Sequence, residues 1–100
     1  METNNGWVEK THNFGEVKEK EEVIYTFEYA GNKNYSYHTS SCGCTTGVWD
    51  NGKIVVKYKT GVIPAHIKEK QNYMDTTKKV FVYFKDGHVD ELRLVGKIIT

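Results

Sequence analysis

Short apolar runs with a two-residue period constrain this chain more than any other feature. VIYTFEY (Val23–Tyr29), YSYHTS (Tyr35–Ser40) and VFVYFK (Val80–Lys85) are rich in aromatic and β-branched residues and separated by Gly, Asn and Asp. Such side chains fit a pleated surface, and period-two alternation places every second one on the same face. No stretch sustains the 3.6-residue period of an amphipathic helix. The chain is therefore expected to be all-β.

Along the chain, Glu22–Tyr29 reads as the first clear strand. Val23, Tyr25, Phe27 and Tyr29 form one face; Ile24, Thr26 and Glu28 form the other. Gly31–Asn34 reads as a turn, because Gly and Asn tolerate positive φ. Tyr35–Cys42 is expected to be the next strand, with Tyr35, Tyr37 and Thr39 on one side and Ser36, His38 and Ser40 on the other. Asn51-Gly52 signals a type I′ hairpin joining Gly47–Trp49 to Lys53–Lys59. Lys79–Lys85 is apolar on both faces, as in a central strand, and Asp86-Gly87 turns the chain into Val89–Ile99. About seven short strands at this spacing fit an immunoglobulin-like β-sandwich.

Two segments resist the pattern. Glu16–Glu22 is a charge run, read as a solvated loop. Gly61–Thr77 is long and mixed and contains the single proline, Pro64, which argues against a central strand. A loop of that length in a compact domain is often functional, so it is read as a contact surface.

One hundred residues suffice for one domain, 1–100, and Met1–Gly6 is expected to be a flexible arm. Fourteen basic residues against thirteen acidic leave no basic excess, so no nucleic-acid or acidic-membrane partner is expected. No apolar run approaches the ~20 residues that span a bilayer. The first residues lack a signal-peptide pattern, so synthesis in a host cytoplasm is expected.

Four pieces in order carry a family resemblance: His12-Asn13-Phe14-Gly15-Glu16-Val17, Val23–Tyr29, Ser41-Cys42-Gly43-Cys44-Thr45, and Leu92-Arg93-Leu94-Val95-Gly96-Lys97-Ile98. Together they resemble domain-of-unknown-function family 1573, over roughly Trp7–Ile99. Its pattern is an FG start, a TF-x-[FY] strand, an SCGCT segment and an L-x-[LI]-x-G ending. The resemblance implies an Ig-like sandwich of the hydin and major-sperm-protein kind, with no assigned enzymatic activity. The chain departs from the pattern where Asp50-Asn51-Gly52 replaces the proline-containing turn that often follows the CGC segment. The Gly61–Thr77 segment also looks longer than usual, and the export signal common in bacterial members is not expected here, since the first residues do not show its pattern.

Cys42 and Cys44 are the only cysteines. As a disulfide they meet a geometric objection: residues i and i+2 of an extended strand lie about 6.6–6.8 Å apart, beyond the preferred Cα separation of about 5.5–6 Å. As zinc ligands, with His12, His38, His66 or His88, they lack the usual C-x₂₋₄-C spacing. The reading that fits the spacing best is a pair of reduced, buried, small hydrophobes. Gly43 would then let the chain cross between sheets, while Ser40, Ser41, Thr45 and Thr46 cap free backbone groups. No nucleophile elbow, phosphate loop or His-Glu-x-x-His occurs, so an enzyme is not expected.

The expectation is a non-catalytic Ig-like structural module without cofactor. Its context by analogy is a phage virion, where it would bind capsid, neck or tail subunits in a multimeric assembly. Phe14, Gly15, Cys42, Gly43 and Cys44 are the structural motif residues; Trp49, His66, Lys68, Lys70 and Tyr73 are the candidate partner contacts. The alternatives are a metal or redox protein using Cys42 and Cys44, and a carbohydrate or adhesion module using Trp49.

Overall fold

A computed structural model describes residues 6–41 and 43–100; Met1–Asn5, most of the expected arm, and Cys42 lie outside the described residues. Among the described residues there are seven strands: β1 (Thr11–Lys18), β2 (Glu22–Glu28), β3 (Tyr35–Ser40), β4 (Thr45–Asp50), β5 (Lys53–Lys59), β6 (Tyr73–Phe84) and β7 (Val89–Ile99). One short helix, α1 (Ala65–Lys68), lies between β5 and β6. They form two sheets, β1-β7-β6-β3 and β2-β5-β4. All pairings are antiparallel except β1 with β7, which is parallel. The fold is the expected all-β, immunoglobulin-like sandwich, with its first strand moved to the sheet of the last.

The core lies between the sheets. Phe27, Ile54, Val56 and Tyr58 line one inner face; Val80, Val82, Phe84, Leu92, Leu94 and Ile98 line the other, and all are buried. In β2 the alternation holds, with Val23 and Phe27 inside and Ile24 exposed. The β4–β5 hairpin turns on Asn51 (φ 52°) and Gly52 (φ 87°), the two positive φ values that a type I′ turn requires. In the β6–β7 turn Gly87 has φ 92°.

Three expectations are corrected. Glu16–Lys18 belongs to β1 and is not loop. Edge strands tolerate a charged solvent face, and here His12, Phe14 and Val17 alternate inward across a bulge between Asn13 and Glu16. The Gly61–Thr77 loop shrinks, because β6 starts at Tyr73 and α1 occupies part of the rest. Finally, a register irregularity between Tyr35 and Tyr37 reverses the phase of β3. Tyr35 pairs with buried Phe84, whereas His38 and Ser40 pair with buried Val82 and Val80. Tyr35, His38 and Ser40 therefore face inward, and Tyr37 and Thr39 face out.

Gly6 is not part of a free arm. Its carbonyl accepts the Ala30 N–H at 2.7 Å, and Trp7 bridges to Tyr29. Residues 6–8 thus pair beside β2 before the chain crosses to β7, tying the two sheets together. Trp7 is buried, and its indole N–H donates to buried Asp90 Oδ2 at 2.8 Å. The other carboxylate oxygen, Oδ1, meets His88 Nε2 at 2.7 Å and Lys10 Nζ at 3.8 Å. A charge this deep is tolerated only when it is paired and hydrogen-bonded.

Candidate functional site

Phe14 and Gly15 sit at the β1 bulge. Gly15 has φ 77°, and its N–H donates to the Asn13 side-chain oxygen at 2.8 Å. The bulge allows the Phe14 ring to lie over Gly96 of β7, where an added Cβ would come within 2.5 Å of the ring. The FG piece and the terminal L-x-L-x-G piece are therefore two halves of one packing contact.

Between Ser40 and Thr45 the chain leaves one sheet for the other, so the cysteine segment is a sheet-to-sheet corner. Ser41 seals it from one side: its N–H donates to the Lys79 carbonyl at 2.9 Å, and its Oγ accepts the Lys79 N–H at 3.0 Å. On the other side the Lys59 N–H donates to the Cys44 carbonyl at 3.1 Å. Gly43 is exposed, with open space where a Cβ would stand.

Cys44 is disulfide-bonded and exposed, which corrects the reduced, buried reading for this residue. The objection drawn from strand geometry does not apply, because Gly43 and Cys44 lie in a turn and not in an extended strand. Cys42 lies outside the described residues. Among those described, no group of three or more His, Cys, Asp or Glu could hold a metal ion.

A model for the family described as "Protein of unknown function (DUF1573)" matches residues 6–98. The chain belongs to that family. No curated protein and no solved structure matches it. Within this DUF1573 chain, the match begins at Gly6, beside the Trp7–Tyr29 bridge, and ends at buried Ile98, so it spans both halves of the Phe14–Gly96 contact.

The candidate partner contacts do not form one surface. Trp49 is half-buried, its ring stacked on Tyr35 at 4.4 Å and edge-on to Trp7 at 6.3 Å. His66, Lys68 and Lys70 lie beyond the far end of β5. His66 and Lys70 are exposed. Lys68 pairs with Glu19 at 3.1 Å, and the same carboxylate accepts the Ile63 N–H at 2.6 Å. These contacts hold Glu19 below the ordinary carboxylate range, the Ile63 N–H contributing most and Lys68 next. Tyr73 is half-buried at the start of β6, with Lys97 over its ring.

An aromatic pair with one exposed member, Tyr37, and one half-buried member, Tyr83, escaped the sequence reading. Tyr37 and Tyr83 stack on the outer face of the four-stranded sheet, centroids 4.4 Å apart and planes 4° apart. Tyr37 is 52% exposed, and Val89, opposite Tyr83, is 44% exposed. Alternation taken at face value sends Tyr37 to the side of Tyr35; only the register irregularity separates them.

Proposed function

We propose that this chain is a non-catalytic Ig-like interaction module whose working surface is the outer face of the β1-β7-β6-β3 sheet. The observation that carries this reading is the Tyr37–Tyr83 stack beside exposed Val89. A sandwich gains its stability from the inner faces, so a preorganised aromatic cluster on an outer face contributes mainly to contacts with something else. Rigid aromatics lose little entropy on binding and dominate interface energetics. His66 and Lys70 on the 61–72 segment offer a second, polar contact at one end of the sandwich.

The finer form of the proposal is a virion component binding capsid, neck or tail subunits, made in a host cytoplasm. Quantitative mass spectrometry of purified particles tests it. The chain is expected at a fixed copy number, and Tyr37→Ser/Tyr83→Ser, expected to keep its fold because both rings lie outside the core, is expected to be depleted from particles. Absence of the wild-type chain from particles would sink the virion reading. Full incorporation of the variant would sink the assignment to this face.

A further inference from the structure

Among the described residues four strands lie at sheet edges: β1 and β3 in one sheet, β2 and β4 in the other. An edge strand offers a row of unpaired N–H and C=O groups to another chain unless something blocks it. The bulge between Asn13 and Glu16 blocks β1, and the irregularity between Tyr35 and Tyr37 interrupts β3. Residues 6–8 cover one end of β2, where the Val8 N–H donates to the Glu28 carbonyl at 2.9 Å, and a glutamate stands at each end of that strand. The β4 strand (TTGVWD) has no such device. It pairs with β5 from Thr45 to Asp50 without a register break and contains no proline, lysine or arginine.

The ladder with β5 determines which backbone groups of β4 face the open side. Opposed residues of an antiparallel pair alternate between exchanging hydrogen bonds and not doing so. The two-residue Asn51-Gly52 turn makes Asp50–Lys53 a bonded pair, and the Lys59 N–H to Cys44 carbonyl bond gives the same phase at the far end. Thr46 and Val48 therefore bond to β5, while Gly47 and Trp49 turn their N–H and C=O groups outward from the sheet. Val48 is 61% exposed on the outer face, beside half-buried Val55.

We propose that β4 pairs with β4 of a second copy of this chain, antiparallel about a two-fold axis at Val48, joining two three-stranded sheets into one of six strands. In that register Gly47 of each copy lies opposite Trp49 of the other, so the outward groups of both edges satisfy one another. Each strand glycine also gains an aromatic cross-strand neighbour, which compensates for its missing side chain. On the outer face Val48 meets Val48, and the Val55–Val48 row of each copy becomes one apolar band across the seam. Thr46 lies opposite Asp50 of the other copy and, within its own sheet, opposite Lys57. Each Asp50 thus stands two strand spacings, about 9–10 Å, from Lys57 of the other copy, within reach of an extended lysine. The symmetry makes two such opposite-charge pairs and sets no like charges against each other across the seam. This self-complementarity points to a second copy as the occupant: one stretch of strand supplies the hydrogen bonds, the apolar contact and the acidic partner for Lys57.

The test is sedimentation equilibrium of the folded, full-length chain over a concentration series, with amide hydrogen exchange followed by NMR. A dimer is expected, and the Gly47 and Trp49 amides are expected to exchange more slowly as it forms. Val48→Lys, a change at an exposed position, is expected to leave the circular dichroism unchanged, weaken the dimer about tenfold or more and release both amides. Asp50→Lys and Lys57→Glu are each expected to weaken self-association about threefold or more. Mixed together, these two variants are expected to form a heterodimer tighter than either homodimer, because the mixture restores an opposite-charge pair on both sides of the axis. A monomer at every concentration overturns the proposal, as does a dimer in which Gly47 and Trp49 exchange as fast as in the monomer. A dimer that survives Val48→Lys but is dispersed by Tyr37→Ser/Tyr83→Ser overturns it too, by placing self-association on the other sheet. A mixture of the charge variants no tighter than the variants alone overturns the register.

Discussion

Gly96 shows what one residue can determine. Its neighbours at two-residue spacing, Leu94 and Ile98, are buried in the core, and a side chain at 96 would join that row. The Phe14 ring occupies the space instead, so Gly96→Ala forces a carbon to within 2.5 Å of a ring whose backbone is fixed by the Gly15 bulge. Overpacking of this kind typically costs about 1–3 kcal/mol. Urea denaturation of Gly96→Ala is expected to show a loss in that range, and Phe14→Leu in the same chain is expected to recover part of it. A loss that is merely additive across the two changes would show that ring and glycine are not coupled. The buried Asp90 carries the opposite lesson. The alternation of Val89–Ile99 puts Asp90 on the same side as Leu92 and Leu94, but of its partners only His88 is a sequence neighbour; Trp7 and Lys10 come from an N-terminal segment that only the fold brings there.

At the scale of elements, legibility followed the strength of local signals. The Asn51-Gly52 hairpin was readable because a type I′ turn demands residues that tolerate positive φ, and few pairs do. Gly52→Ala, placing a Cβ at φ 87°, is expected to destabilise the domain by about 1–2 kcal/mol in the same urea assay. Asn51→Gly is expected to be nearly neutral there, since Gly adopts φ 52° without penalty. The β1 strand was hidden because its charged residues are those of an edge, and its inward residues change phase at Gly15. The outward turn of Tyr37 was hidden for the same reason: one irregular residue in β3 moves every later side chain to the opposite face. The corner at Gly43 was foreseen as a crossing between sheets. The bonded state of Cys44 was not, because extended geometry was assumed where the chain turns.

Across the whole molecule, two carboxylates, Glu19 and Asp86, knit distant segments together, and a third, Glu91, pairs within its own strand. Glu19 ties the β1–β2 turn to Ile63 and Lys68. Asp86 binds Lys33 at 2.7 Å and accepts the His88 N–H, and these bonds hold its carboxyl below the usual range, Lys33 contributing most. Glu91 is held low chiefly by Arg93. Each group is charged more readily in the folded chain than in the unfolded one. Their contribution is therefore complete above about pH 5 and is lost as the pH falls through the folded values, because the unfolded state then takes up more protons. The urea midpoint is expected to decline from pH 6 to pH 3, and Glu19→Gln to flatten that decline. Equal slopes for the two chains would remove Glu19 from the account.

The parallel pairing of β1 with β7 also determines how the domain would respond to a pull. Thr11 lies beside Arg93 and Lys18 beside Ile99, so the first strand and the last run in the same direction. Tension applied at the start of β1 and the end of β7 drags the two strands past each other along their length. Most of the hydrogen bonds between them then bear the load together, in shear, and do not open one after another like a zip. A module sharing an assembly with neighbours on both sides would transmit force through that seam, with the Phe14 ring seated on Gly96 acting as a detent against sliding.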